Sequence, residues 1–385
     1  MLLFEGSPNN IVPSVIRPLG ILAVMSSQLT PFHSQSVFLL GFGGVGRALA
    51  RQLIAARELH LARRHLRLEV VGIADSNAIV VEPTGLDDAT LHSLIVQKGA
   101  GQKMSAPAIQ QGMTPLEAIA HLPPNTIVVD TTATDHIVPA LLAAKAAGHA
   151  VVLANKLPVA GDLAWWDAIT TGRARWETTC GSAMPVISTL TTLLDAGDQV
   201  SKIEGSLSGT LAYLAAQLEA GKPFGDAVRE AKRLGYTEPD PRQDLGGRDA
   251  GRKALILARM LGYRIGMDDV SIESLYPASM DGLSVDEFLR EVDSLNGQMA
   301  QRAAALTAGG KKLRYAAVVQ DGKCELKLLG ADPNTKLGAI QASDSIVVFT
   351  SKHFSSNPLA VSGRGAGQEV TAMGVLGDIV SLAIG

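Results

Sequence analysis

Aromatic residues make up only 4% of this 385-residue chain, and it holds two cysteines, Cys180 and Cys324. Two cysteines cannot build a disulfide framework, which points to a reducing, cytoplasmic setting. Both sit among apolar neighbours with no basic partner nearby in sequence, so buried thiols are expected rather than a nucleophile. No run reaches the ~20 consecutive apolar residues that a membrane helix needs. Neither sign of charge dominates, since the net charge is −3. That balance gives no electrostatic basis for binding nucleic acid or an anionic membrane. No spacing of His, Cys and carboxylates suggests zinc. The first 35 residues lack a signal-peptide pattern: Glu5 precedes the short apolar run GILAVM, and no A-x-A site follows.

Glycine, by contrast, is plentiful at 39 residues. The length suits two domains, and short apolar runs between helix-patterned segments predict an α/β chain. Residues 36–40, SVFLL, lead into GFGGVG and then into a segment with helical spacing: strand, glycine turn, helix. LEVVGIADS (68–76), TIVVDTT (126–132) and AVVLANK (150–156) read as further strands, with a helix over 138–149. Continuous apolar strands between helices predict a Rossmann-type parallel sheet covered on both faces. Beyond Lys156 a helix is expected near 161–172. WETTCGSAMPVISTLTTLLDAGD then reads as strand, glycine turn and helix, and SKIEGSLSG as a strand. Three helical segments follow, with Gly235 stopping the second. Residues 313–330 predict a hairpin turning at Asp321–Gly322, and 345–351 another strand. This second unit is expected to be α+β with a mixed sheet. The expected boundaries are an N-terminal extension at 1–35, disordered or preceding a start at Met25; a dinucleotide-binding domain over 36–157 and 355–385; and a second domain over 158–354.

In GFGGVG, Gly41, Gly43 and Gly46 have the G-x-G-x-x-G spacing, with Phe42, Gly44 and Val45 between them. The first glycine allows the tight turn, the second a close approach of pyrophosphate, and the third the packing of helix on strand. A strand before and a helix after give the motif its weight. Asp75 ends the second strand, where a carboxylate can accept hydrogen bonds from a ribose and favours NAD. Arg47 could instead meet the extra phosphate of NADP, and the residues leave both open. Thr131, Thr132 and Ala133 end the third strand and Ala154, Asn155 and Lys156 the fourth, at the edge where open sheets bind ligands. Lys156 there can meet a carboxylate or a carbonyl oxygen.

The window 235–254, GYTEPDPRQDLGGRDAGRKA, gathers Glu238, Asp240, Arg242, Asp244, Arg248, Asp249, Arg252 and Lys253. In a helix, Asp249 and Lys253 share one face. Pro239 and Pro241 stiffen the turn that carries Glu238. Rigid carboxylates beside a lysine could hold an ammonium group and poise the lysine for proton transfer. A solvated loop with one exposed ion pair is the competing reading, and the pattern alone does not choose.

GYTEPDPRQDLGGRDAGRKALILAR strongly resembles the substrate segment of homoserine dehydrogenases. GFGGVG, LANK, ETTCGSAMPVISTL, EGSLSGTLAYL and GAGQEVTAMGVLGDI fall in that family's order, so the resemblance covers about residues 36–385. It is strongest to the dehydrogenase half of bifunctional aspartokinase–homoserine dehydrogenases. No kinase portion is seen, nor a C-terminal ACT domain, and weak inhibition by threonine is therefore expected. The resemblance implies NAD(P)-dependent interconversion of L-aspartate 4-semialdehyde and L-homoserine, toward threonine and methionine, by a cytoplasmic homodimer. Residues 158–354 would be its catalytic and dimerisation domain. It further implies that Glu238 and Asp244 hold the substrate's ammonium, and that Tyr236, Gly209 and Thr210 line its pocket. Asp249 and Lys253 would stand at the reacting carbon, with Lys156 at the junction of cofactor and substrate. Gly367 and Thr371 would close over the cofactor. A monovalent cation such as Na+ would rest on the carbonyls of Glu177, Cys180, Ser182 and Met184. Ala183, Gln243 and Gly251 depart from the family pattern. Asp240, Arg242, Arg248 and Arg252 have no implied chemistry and are expected in structural ion pairs. The weighed alternatives are a phosphate-dependent semialdehyde dehydrogenase, which needs a cysteine with a base, and a catalytically silent nucleotide-binding subunit.

Overall fold

The computed structural model describes residues 32–110, 112–340 and 344–385. The expectations for residues 1–31, disorder or a start at Met25, lie outside the described residues. The first strand, β1, spans His33–Leu40 and so starts before the expected Ser36. The His33 amide donates to the His65 carbonyl at 2.7 Å, and the Gln35 amide group donates to the Asn125 carbonyl at 2.7 Å, which extends the pairing.

The next strands are β2 (Leu66–Ala74), β3 (Ile79–Val81), β4 (Ile109–Gln110), β5 (Ile127–Asp130), β6 (Ala150–Leu153) and β7 (Ala174–Arg175). With β1 they form one sheet of order β4-β3-β2-β1-β5-β6-β7. The pairs from β2 through β7 are parallel, and β3 and β4 join antiparallel. Successive side chains of a strand point to opposite faces. Here Val37 and Leu39 enter one apolar cluster and Phe38 and Leu40 another. Both faces are therefore buried, as the unbroken apolar run predicts. Helices α1 (Gly44–Ala55) and α2 (Asp88–Gly99) cover the first face and α3 (Val138–Ala146) the second.

Further along lie α4 (Val186–Asp195), α5 (Gly209–Glu219), α6 (Phe224–Arg233), α7 (Arg248–Met260) and α8 (Asn296–Thr307). Strands β8 (Val200–Ser206), β9 (Ser271–Ile272), β10 (Lys312–Gln320), β11 (Lys323–Ala331), β12 (Ser345–Ser351) and β13 (Leu359–Gly363) make a second sheet, β13-β12-β8-β10-β11-β9. It is mixed: β9 runs parallel to β11 and the other pairs are antiparallel. The β10–β11 turn is the expected one, with Asp321 and Gly322 both in the left-handed region at φ 51° and 75°. That combination matches the right-handed twist of the flanking strands.

Two segments differ from expectation. WETTC is not a strand: Glu177–Thr179 form a 3-10 turn after the two-residue β7. The Glu177 carboxylate instead accepts the Ile187 and Ser188 amides at 2.6 and 2.8 Å, capping α4. The chain after 355, expected wholly with the first sheet, first supplies β13, paired along β12 of the second. Only then does α9 (Gln368–Ala383) return, placing Ala372, Val375, Ile379 and Leu382 in the core beside Leu49 and Leu53 of α1.

Helix α7 is buried almost all round, with Leu255, Ile256 and Leu257 at most 1% exposed. Its interior charge is satisfied, because the Arg259 guanidinium donates to the carbonyls of Val159, Gly161 and Ile265. Gly251, which costs up to ~1 kcal/mol in a helix, has a packing reason. A Cβ there would stand 2.5 Å from Ile272 Cδ1, so glycine lets α7 approach β9.

Candidate active site

Two cavities meet where β1, β5 and β6 end. One, of about 920 Å³, is lined by Gly41, Phe42, Gly43, Gly44 and Val45, together with Asp75 and Lys98. The other, of about 780 Å³, runs from Ala154 and Lys156 to α7 and the loop before α9. Val45, Thr131, Thr132 and Ala133 line both.

The glycine turn is built as its spacing requires. Gly41 has φ 91°, and a Cβ there would lie 2.9 Å from the Thr131 backbone. Nothing lies within 4 Å of a Cβ placed on Gly43, which leaves room for a ligand. Gly46 is buried, and a Cβ on it would overlap the Gly41 carbonyl; it serves the packing of α1 and does not line the cavity. The Phe42 ring is turned into the core. Gln368, which the sequence reading missed, lines the same cavity across from Gly44.

Asp75 stands at the cavity edge with its carboxylate engaged. It accepts the Asn77 and Ala78 amides at 2.7 and 2.8 Å and pairs with Lys98 at 2.7 Å. Burial works against its charge, but Lys98 and the two amides prevail and hold its pKa below the ordinary carboxylate value. Arg47 donates to the Lys98 carbonyl at 2.8 Å. The pairing of Asp75 with Lys98, 23 residues downstream, was not legible locally.

Asn155, expected at the cofactor, lies beneath the cavity and is 5% exposed. Its amide nitrogen reaches the Asp130 carboxylate at 3.1 Å, Thr132 Oγ1 at 3.1 Å and the Thr134 carbonyl at 2.8 Å. Its own oxygen accepts the Leu157 amide at 3.1 Å. Asp130, fully buried, also accepts the Thr132 amide at 2.8 Å. This network ties the loop after β5 to the loop after β6, and Lys156 is the next residue. Burial raises the Asp130 pKa to about 6 against these hydrogen bonds.

At the cavity floor, Asp249 bridges two lysines. Lys253 Nζ lies 2.9 Å and Lys156 Nζ 3.2 Å from its carboxylate. Burial opposes the Asp249 charge, but the two ammonium groups outweigh it and hold its carboxyl well below the usual range. Half of that side chain stays open to the cavity. Lys253 is 9% exposed and also donates to the Leu207 carbonyl at 2.7 Å. An ammonium has three N–H groups, so one remains for a ligand.

Glu238 and Asp244 line the wall opposite. Asp244 accepts the Glu238 amide at 2.8 Å and Thr210 Oγ1 at 3.1 Å. Burial, with the nearby charges of Glu238 and Asp249, raises its pKa. The Glu238 side chain is exposed to the cavity and meets no cation among the described residues. Thr210 is buried behind this wall. Gly209 and Tyr236 do not line the cavity; the Tyr236 ring packs edge-on against Tyr213 with centroids 5.0 Å apart. Ser208 does line it, and also caps α5 through the Leu211 amide at 3.3 Å. From the tail, Gly367 and Thr371 close the far side, and Thr371 Oγ1 lies 2.9 Å from Ser182 Oγ.

Of the four charges expected in ion pairs, Asp240 and Arg242 pair at 2.8 Å. Arg242 also donates to the carbonyls of Met280, Asp281 and Leu283. Arg248 and Arg252 meet no carboxylate among the described residues and line the cavity instead. The nearby acids are already engaged, Asp249 by two lysines and Asp244 by Thr210 and the Glu238 amide.

At the turn 177–184, where the resemblance implies a cation, the four carbonyls are not equally engaged. The Glu177 carbonyl accepts the Cys180 amide and the Met184 carbonyl the Val186 amide, at 3.3 and 2.7 Å. The carbonyls of the buried residues Cys180 and Ser182 meet no donor among the described residues. Ser182 is held in the left-handed region at φ 58°. Burial pushes the Cys180 thiol up to about 12 and, with a nearby Glu325 charge, the Cys324 thiol to about 12. Both thiols are buried and held protonated, unlike an activated nucleophile, which speaks against the cysteine-dependent alternative.

Comparison with known proteins identifies the family. The family model described as homoserine dehydrogenase matches residues 185–380, and that described as homoserine dehydrogenase, NAD binding domain, matches 41–180. A homoserine dehydrogenase of Emericella nidulans is 33% identical, over 89% of this chain and 96% of that protein. A bifunctional aspartokinase/homoserine dehydrogenase of Haemophilus influenzae is 31% identical over 98% of this chain. The match spans 46% of that relative, so the chain corresponds to less than half of the bifunctional proteins it resembles. Among solved structures, a Candida auris protein of unknown function superposes with a TM-score of 0.81 at 31% identity, covering 91% of this chain and 98% of the other. A hyperthermophilic archaeal homoserine dehydrogenase in complex with NADPH shares the fold, with a TM-score of 0.69 at 23% identity over 90% of this chain and 97% of that one. The chain belongs to the homoserine dehydrogenase family and carries its NAD-binding domain.

Proposed function

We propose that the chain interconverts L-aspartate 4-semialdehyde and L-homoserine with NAD(P). The observation that carries this reading is Asp249 held between Lys253 and Lys156, in a cavity continuous with the one over the glycine turn. The nicotinamide, when bound, supplies or accepts the hydride. Lys253, fixed by Leu207 and Asp249, directs its remaining N–H at the substrate oxygen. There it stabilises developing negative charge and donates the proton; in oxidation the neutral amine takes it back. Asp249 keeps both lysines in place. Lys156, which lines the cavity beside Asp249, would meet the nicotinamide end and the substrate together, and Glu238 with Asp244 receives the substrate's ammonium. Gly367 and Thr371 close over the nicotinamide end.

Asp75 suits a ribose hydroxyl, and Lys98 beside it offsets the repulsion a 2′-phosphate would meet, which supports use of both NAD and NADP. The free carbonyls of Cys180 and Ser182, with those of Glu177 and Met184, would hold Na+ as a structural ion fixing that turn. The reading includes a cytoplasmic homodimer formed through the second domain, which light scattering checks, and a role toward threonine and methionine, which rescue of a homoserine auxotroph checks. The primary test is oxidation of L-homoserine by the purified chain, with NADP+ and NAD+ in separate assays. Turnover is expected with both cofactors, and turnover with neither refutes the reading.

A further inference from the structure

We infer that Arg252 and Arg248 bind the α-carboxylate of the amino-acid substrate. The inference rests on the proposed dehydrogenase reading and begins from charge. A free amino acid brings one ammonium and one carboxylate into the cavity. For the ammonium the wall offers Glu238, which meets no cation among the described residues. For the carboxylate the lysines are poor candidates. Lys253 keeps one N–H beyond Asp249 and the Leu207 carbonyl, which this reading gives to the reacting oxygen, and Lys156 is drawn to the same Asp249 beside the reacting carbon.

Arg248 and Arg252 are the cavity's remaining cations, and no carboxylate of the described residues meets either. They lie four residues apart on α7, so they share one face. Each also precedes a residue of the reacting pair, Asp249 or Lys253. The helix thus presents Arg248, Asp249, Arg252 and Lys253 to one cavity, and the same element that holds the proton donor supplies the carboxylate site. A guanidinium offers a planar fork that matches a carboxylate with two parallel hydrogen bonds.

The other anion that could reach a guanidinium here is a phosphate of the cofactor. The glycine turn that receives phosphates opens on the neighbouring cavity, which neither arginine lines. The substrate is therefore the ligand the placement favours.

The test uses the full chain and the Arg252→Gln, Arg252→Lys and Arg248→Gln variants. Three quantities are read: KM for L-homoserine at saturating cofactor, Kd for NADPH by fluorescence, and Ki of 3-aminopropan-1-ol against homoserine. That amine is homoserine without its carboxylate. Arg252→Gln is expected to raise KM roughly tenfold to a hundredfold, the range for a lost charge-assisted hydrogen bond. Arg252→Lys should recover part of the loss and Arg248→Gln should lose less. NADPH affinity and the Ki of 3-aminopropan-1-ol should stay unchanged, which general damage to the site would not permit. An unchanged KM in both glutamine variants overturns the inference, as does a matching loss of NADPH affinity. If the unsubstituted chain does not oxidise homoserine at all, the dehydrogenase reading fails and this one with it, a result distinct from the other two.

Discussion

Asp249 touches two ammonium groups, but the two lysines are not equivalent. Lys253 is buried and held at three points of one small region: its own helix, Asp249 and the Leu207 carbonyl. Lys156 is more open, and its only ionic partner among the described residues is Asp249. The fixed lysine is the better proton donor, because its remaining N–H needs no reorganisation during reaction. Lys253→Ala should therefore lower kcat by about a hundredfold to ten-thousandfold, the contribution usual for a positioned acid–base group. Lys156→Ala should act more on KM. Steady-state kinetics on both variants checks the assignment, and near-normal kcat in Lys253→Ala would refute it. At this scale the sequence placed Asp249 and Lys253 on one helical face from their spacing alone. It did not show that Arg248 and Arg252 meet no carboxylate among the described residues, because which acids are already engaged is settled by distant groups such as Thr210 and Lys156.

At the scale of elements, the ends of β5 and β6 are joined by the Asp130–Asn155 network beneath the cavity. The sequence put Asn155 at the correct sheet edge, but a strand end does not reveal whether a side chain turns up to a ligand or down into the protein. The same limit explains WETTC, whose threonines suit a strand until Glu177 is used to cap α4. The β1–glycine turn–α1 unit was legible because its requirements are local: a tight turn at Gly41 and close packing at Gly46. The buried network carries a pH consequence. Burial raises Asp130 from its ordinary value of 3.8 to about 6 in the folded protein. The folded state thus holds this proton where the unfolded state has released it. The associated stability is present below about pH 4 and is lost as pH rises through about 6. The shift corresponds to about 3 kcal/mol as an order of magnitude. Urea unfolding of the wild type and of Asp130→Asn across this range should show the wild type losing stability relative to the variant as pH rises. A pH-independent difference between the two would contradict it.

At the scale of the molecule, the site exists because the chain crosses between its two sheets more than once. The first sheet supplies the glycine turn and Lys156, α5 to α7 supply the acids and Lys253, and the tail returns through β13 and α9 to close the cavity. That return was anticipated by assigning residues 355–385 to the dinucleotide-binding domain, whereas β13, a five-residue edge strand, was not. The proposed function requires the two contiguous cavities to act as one dehydrogenase site. Its most direct test is the initial rate of NADPH oxidation by the purified chain with L-aspartate 4-semialdehyde, with the product identified by chromatography. Turnover to L-homoserine that saturates in both substrates is expected. NADPH binding without any semialdehyde-dependent oxidation would contradict it.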